Sequence, residues 1–375
     1  MKAMPGHSYP PVGGSSIVHA IVLAGGRGRL LHPLTADRPT SLLPVAGKPL
    51  IQHQLEALAS VGVTDATVVA GHGAERLHAF LGDGRAWGVE VDTVLQEPLA
   101  GPGHALAMAG GPADLVLHAD TWFAADVLRS LLDAPGPAAA WTRDPRARRN
   151  GTVRLQDGCL VAADEGAALA GAFRPSEGLF DHLTEGDQGL RDALQRSLDQ
   201  QPWVAVEAAE HHRIDVLTPG DLLTLHARLL EEVVGGTEHP ACHGPVLLGE
   251  GTTLAPGCVV QGPVVIGRDC SIGPNAVILS GTAVRNRVSV GAGAVVDGCS
   301  IGSNVQIGAL AHLRASIVDN GVQIGPRAAV DASVLGADAS LGAGAIVHEG
   351  GIIGRQGRVA AGRVVGSVPD GGQAV

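Results

Sequence analysis

The residues best placed to do chemistry gather near the start of the chain. An apolar run, Ser16-Ile-Val-His-Ala-Ile-Val-Leu-Ala24, breaks at Gly25-Gly26-Arg27-Gly28. A buried strand ending in glycines lets backbone N–H groups come close to phosphate oxygens, so this turn predicts a nucleotide cradle. Its spacing is neither Gly-x-Gly-x-x-Gly nor the Walker pattern, since no Gly-Lys-Ser/Thr follows. Other groupings carry less. His239-Pro-Ala-Cys-His243 matches no common zinc spacing and reads as linker. The neighbours His211 and His212 read as an edge-strand pair. The five cysteines form no Cys-x-x-Cys, which fits a reduced, cytoplasmic protein.

The elements that must position the loop follow from periodicity. Helical spacing recurs at Pro49–Ala59, Ala74–Leu81, His104–Ala109, Phe123–Leu132, Leu190–Leu198 and Asp221–Val234. Between them lie short apolar strands at Thr67–Ala70, Val89–Leu95 and Asp114–His118, then strands and turns over Ala138–Asp164 with a hairpin at Asp157-Gly158. The alternation predicts an α/β domain of Rossmann-like type, with a mostly parallel sheet covered on both faces. Gly235–Gly244 reads as a linker.

From Pro245 the period changes to six. Aliphatic residues recur from Leu248, Leu254 and Val260 through to Ile353, Val359 and Val365, and three of the intervals are one residue short. Neither helix nor alternating strand has this period. A triangular coil does, with three short strands per turn that each point one aliphatic inward and small residues at the corners. The expected division is a loose arm at 1–16, an α/β domain at 17–234, a linker at 235–244, a left-handed parallel β-helix at 245–368 and a tail at 369–375.

Composition narrows the function. A net charge of −11 argues against nucleic acid or an anionic membrane as partner. Met1 to Ser16 lacks the apolar centre of a secretory signal, and no apolar run is long enough to span a bilayer. Lys2 and Lys48 are the only lysines.

Leu23-Ala-Gly-Gly-Arg-Gly28, Pro33-Leu-Thr35, Pro39, Leu42, Pro44-Val45 and Lys48-Pro49 fall in register with one family. With the hexapeptide coil behind it, the chain resembles the sugar-1-phosphate nucleotidyltransferases, or NDP-sugar pyrophosphorylases. The resemblance implies attack of a sugar-1-phosphate oxygen on the α-phosphorus of a nucleoside triphosphate, with release of pyrophosphate. It implies Mg²⁺ held by Asp120 and Asp215. It implies a nucleotide site from Leu23, Ala24, Gly25, Gly26, Gly28 and Gln96, and sugar-side contacts at Gly151 and Gly171. Its partners would be a nucleoside triphosphate or NDP-sugar and a sugar 1-phosphate. The β-helix would support a homo-oligomer or pairing with an active paralogue.

The departures fall on cations. The family's loop arginine aligns with Leu30 and its Pro-Lys-Pro lysine with Thr40, and a later lysine is missing near Ala162–Glu165. Each phosphate-clamping group removed from such a site costs roughly a hundredfold or more in rate. Arg27 and Arg29 are the candidate catalytic cations, with Arg38 as a third; solvated loop charge is the other reading of all three. Two alternatives to the transferase therefore stand: a catalytically degenerate nucleotide-binding subunit, and an acyltransferase on the β-helix using His312 or His348 as base.

Overall fold

A computed structural model describes residues 17–184, 189–233 and 237–366. The N-terminal arm, the start of the linker and the tail lie outside the described residues. The chain forms two compact units: one carries the strand up to Gly25 together with Gln52–Arg213, the other carries Gly26–Ile51 together with the chain from Ile214 onward.

The first unit is built on a nine-stranded sheet: β1 (His19–Ala24), β2 (Asp65–Ala70), β3 (Glu90–Leu95), β4 (Leu115–His118), β5 (Ala138–Thr142), β6 (Thr152–Gln156), β7 (Cys159–Ala162), β8 (Ala167–Arg174) and β9 (Trp203–Glu207). Their order is β3-β2-β1-β4-β8-β5-β9-β7-β6. The first four are parallel, with β1 held between β2 and β4. Ile21 and Val22 face opposite sides of the sheet and both are buried, as a sheet covered on both faces requires. The covering helices are α1 (Leu50–Ser60), α2 (Ala74–Leu81), α3 (Gly101–Met108), α4 (Ala125–Leu132) and α5 (Gly189–Gln200).

The sheet is mixed rather than mostly parallel. β8 enters antiparallel between β4 and β5, and β6 and β7 form an antiparallel hairpin. The hairpin turn has Asp157 at φ 49° and Gly158 at φ 80°. Two left-handed residues suit the tight two-residue turn whose twist matches its strands.

The second unit contains α6 (Pro219–Leu230), opened by a capping box between Thr218 and Asp221, and the repeat coil. The coil forms three parallel sheets of eight, seven and seven strands. The hexad aliphatics from Val260 to Val359 point into one buried core. The first strand, Cys242–His243, pairs with Val259–Gln261, so part of the linker-like stretch belongs to the first coil. Partners on adjacent coils are first 18 residues apart, as in Val264↔Thr282, then 17, as in Ala283↔Ser300 and Ser300↔Ile317. The lost residue comes from one corner, where Gly298, Ala315 and Ala332 adopt φ 58°, 45° and 40°.

The three outer faces differ. The sheet containing Thr253 and Arg358 shows Ser271, Ser289, Gln306 and Gln323 to solvent. The sheet containing Cys242 and Val364 carries a half-buried column of Val259, Val277, Val295 and Ala329. The third has Ala283, Ser300, Ile317 and Val334 buried. Part of its cover within this unit is the segment Gly26–Ile51. Pro33 packs beside Gly336 and Gly47 beside Val265, while Arg38 pairs with Asp319 at 2.7 Å and Asp37 with Arg355 at 2.8 Å.

Candidate functional site

In the first unit β1 delivers Leu23 and Ala24, both buried, and then Gly25. A side chain at Gly25 would put its Cβ 2.5 Å from Gln96 Oε1, and one at Gly71 would meet Gly25 Cα at 2.8 Å. Gln96 follows β3 directly. Its backbone N–H donates to Ala70 O at 2.8 Å, its Nε2 donates to Gly101 O at 2.8 Å, and the residue is 4% exposed. A buried amide fixed in this way has one edge held by the chain and its Oε1 turned toward Gly25. Such a group can read a base edge without reorganising.

Asp120 follows β4. Its Oδ1 lies 3.3 Å from Arg149 Nη2, and both side chains are about one-third exposed. Arg149 comes from a 3-10 turn at Pro145–Asn150 that starts on proline and is N-capped by Asp144, which accepts the Arg146 N–H at 3.0 Å. Asp144 also lies 3.5 Å from Arg213. Burial pushes its pKa up, but the Arg146 hydrogen bonds and the charges of Arg146 and Arg213 outweigh this and hold it below the ordinary value.

Gly151 and Gly171, which the sequence singles out, meet around the end of this turn. Gly151 has φ 124° and Gly171 φ 91°. A Cβ at Gly171 would stand 3.2 Å from Asn150 Nδ2 and 3.6 Å from His118. The pocket that Gly171 borders is lined by His118, Arg149, Asn150 and Arg191 beside apolar Leu169 and Phe173. Arg149, Asn150 and Arg191 escape motif reading. The available signal is local charge: Arg143, Arg146, Arg148, Arg149 and Arg154 crowd one stretch of an acidic chain.

In the second unit Gly28, at φ 54°, starts the short 3-10 turn Arg29–Leu31 and accepts the Thr35 hydroxyl at 2.8 Å. Thr40 Oγ1 packs directly under Gly28, so this threonine shapes the loop from beneath. The Arg27 and Arg29 side chains are exposed and make no hydrogen bond or ion pair with the described residues. Leu30 is 71% exposed. Arg38 is 9% exposed and turned into the unit, its Nε donating to Leu34 O at 3.0 Å and its Nη2 to Asp319. It is anchored to the coil, away from the glycine turn. Asp215 is 0% exposed at the end of the strand Arg213–Asp215.

The remaining histidines assemble no centre. His239 accepts the Ala241 N–H at 3.1 Å, and the His211 and His212 rings lie tilted with centroids 4.0 Å apart. His312 is exposed on a coil strand. No group of three or more metal-ligating His, Cys, Asp or Glu occurs among the described residues, and no described helix is long and apolar enough to cross a membrane.

The nucleotidyl transferase family model matches residues 19–150, and the bacterial transferase hexapeptide model matches 245–280 and 263–298. A glucose-1-phosphate thymidylyltransferase of Streptomyces antibioticus is 28% identical over 262 residues, covering 62% of this chain and 73% of that protein. A mannose-1-phosphate guanylyltransferase of Mycobacterium tuberculosis is 27% identical over 270 residues, covering 65% of this chain and 73% of that one. A solved UDP-glucose pyrophosphorylase complexed with UDP-glucose shares the fold, with TM-score 0.50 and 19% identity over 58% of this chain and 100% of its own.

Proposed function

The chain carries a nucleotidyl transferase domain followed by hexapeptide repeats, distantly homologous to the sugar-1-phosphate nucleotidyltransferases, and from that premise we propose that it joins a sugar 1-phosphate to a nucleotide and releases pyrophosphate. The observation that carries this reading is Arg149 at 3.3 Å from Asp120. A guanidinium there stands beside the carboxylate that the resemblance assigns to Mg²⁺, in a chain where Thr40 aligns with one family lysine and a second is missing near Ala162–Glu165.

Gln96 would read the base, and the glycine backbone from Gly25 would admit the phosphates. Gly151 and Gly171 would leave room for the sugar beside Asn150. Asp120 suits Mg²⁺: it is a partly exposed hard oxygen donor, and Mg²⁺ is commonly held by one or two carboxylates plus substrate phosphates. Asp215, the other carboxylate that the resemblance gives to Mg²⁺, is fully buried in the second unit. When bound, the ion would neutralise phosphate charge as a Lewis acid. Arg149 would supply positive charge beside Asp120 by position rather than by covalent chemistry; Arg27 and Arg29 are the loop cations that the resemblance offers.

A second reading has its own support. Leu30 is exposed where a cation belongs, and Arg38 is committed to Asp319. A subunit that binds nucleotide without turnover fits these facts. The deciding measurement is pyrophosphate release over a panel of nucleotides and sugar 1-phosphates, beside calorimetric nucleotide binding. Turnover that falls about a hundredfold in Arg149→Gln and in Asp120→Asn supports the transferase. Binding without release across the panel supports the second reading. We also propose self-association through the coil; a monomer in sedimentation would oppose it.

A further inference from the structure

In the second unit, the residue after each inward aliphatic of the covered sheet sits at a corner stacked on the next coil. Glycine holds five of these seven corners: Gly249, Gly267, Gly302, Gly336 and Gly354. The reason is steric. A Cβ at Gly302 would stand 2.7 Å from Asn320 N, and one at Gly336 would stand 2.8 Å from Arg355 N. The two exceptions are charged, Arg285 and Asp319. They lie two coils apart, about 10 Å at the strand spacing of parallel sheets, with the bare corner of Gly302 between them.

Arg38 of the loop segment reaches Asp319 Oδ2 at 2.7 Å, and Asp319 Oδ1 accepts the Asn320 N–H at 2.7 Å. The carboxylate is thus committed at both oxygens. The Arg285 guanidinium makes no hydrogen bond with the described residues, and the charged groups that bear on it are Arg38 and Asp319. Burial and the nearby Arg38 both disfavour its charge, while Asp319 offsets this only in part. Two permanent guanidiniums therefore share one carboxylate in a half-buried corner. A buried charge without a bonded partner is costly, and a guanidinium fork is shaped for a bidentate oxyanion.

We propose that Arg285 and Arg38 form a binding site for a phosphate-class oxyanion on the coil, separate from the nucleotide machinery. The shared chemistry admits inorganic phosphate, pyrophosphate or a sugar phosphate. The inference does not rest on the transferase reading.

The test is calorimetric titration of the full chain with inorganic phosphate, pyrophosphate and a hexose 1-phosphate, each against chloride at equal ionic strength, together with thermal melting. Saturable phosphate binding is expected, weakened at least about tenfold in Arg285→Gly. Glycine fits the corner, as its neighbours show. In phosphate-free buffer the variant should melt at or above the parent temperature, because an unpaired buried charge is gone, and it should lose the phosphate-induced rise. Arg285→Lys, which keeps charge but not the fork, should retain part of the affinity. Pyrophosphate or sugar phosphate heat that survives in Arg285→Gly belongs to the other unit; the anion whose heat is lost is the one this corner takes. Absence of saturable heat with all three, unchanged binding in Arg285→Gly, or a lowered melting temperature that shows a purely structural arginine would overturn the proposal.

Discussion

Substituting alanine at each of two adjacent glycines, Gly25 and Gly26, should have opposite consequences. At Gly25 the new Cβ meets Gln96 Oε1 at 2.5 Å, well inside contact distance, while at Gly26 nothing lies within 4 Å. Gln96 cannot retreat freely. Its Nε2 is bonded to Gly101 O at 2.8 Å, and α3 begins at that residue. Breaking that bond and leaving a buried amide unpaired costs about 1–3 kcal/mol. For domains of 150–250 residues this corresponds to a fall of roughly 2–12 °C in melting temperature. If Gln96 reads the base, nucleotide affinity should drop by a similar free energy, roughly 5- to 150-fold. Gly26→Ala should leave the melting temperature within about 2 °C, since replacing a permissive glycine at an open site tends to cost nothing or to stabilise slightly. Differential scanning fluorimetry and nucleotide calorimetry on both variants provide the readout. Equal melting temperatures for the pair would refute the packing argument, and a destabilised Gly25→Ala that binds nucleotide normally would remove Gln96 from the base site.

Three further outcomes are expected. Asp144 has its pKa lowered in the folded chain, so the stability it contributes is present above the unfolded carboxyl value and disappears as pH falls through the folded one. Asp144→Asn should therefore melt below the parent at pH 7 and converge with it toward pH 3; parallel pH profiles would contradict this. Burial pushes the Cys299 thiol up to about 12, leaving on the order of one part in ten thousand as thiolate at pH 8. Iodoacetamide at that pH should label Cys159 and Cys242 well before Cys258, Cys270 and Cys299, and early Cys299 labelling by mass spectrometry would count against the coil core. Ala332 sits at φ 40° where the equivalent corner two coils earlier is Gly298. Ala332→Gly should stabilise the coil by up to about 1 kcal/mol, and a lower denaturant midpoint would argue that the strain is not there.

Legibility in the sequence follows how local each determinant is. The coil shows plainly because every short strand contributes one inward residue, so the hexad period is a direct image of the geometry. The turn at Gly25 and Gly28 is legible for a similar reason, since tight turns and close approach limit the residues allowed; Gln96 is reached only through the family resemblance. The insertion of β8 between β4 and β5 has no local signature, because strand order depends on crossovers and not on period. Arg149 is hidden because its direction depends on a proline-started, Asp144-capped turn. Arg38 is hidden because its partner lies 281 residues away. Arg285 and Asp319 leave a trace, as the two corners where glycine is broken, but only a finished coil shows that they face one loop.

The covering of one coil face by Gly26–Ile51 has a consequence for how the chain is made. At about 5–20 residues per second of synthesis, the 281 positions separating Arg38 from Asp319 amount to roughly 14–56 s. For that interval the segment has emerged while its carboxylate has not been translated. Strand β1 can pair with β2 early, since their partners are local in sequence, but the loop between them must wait unpacked. Contacts of such long sequence separation are entropically late. The segment that follows the cradle is among the last parts of the chain to acquire its packing on the coil.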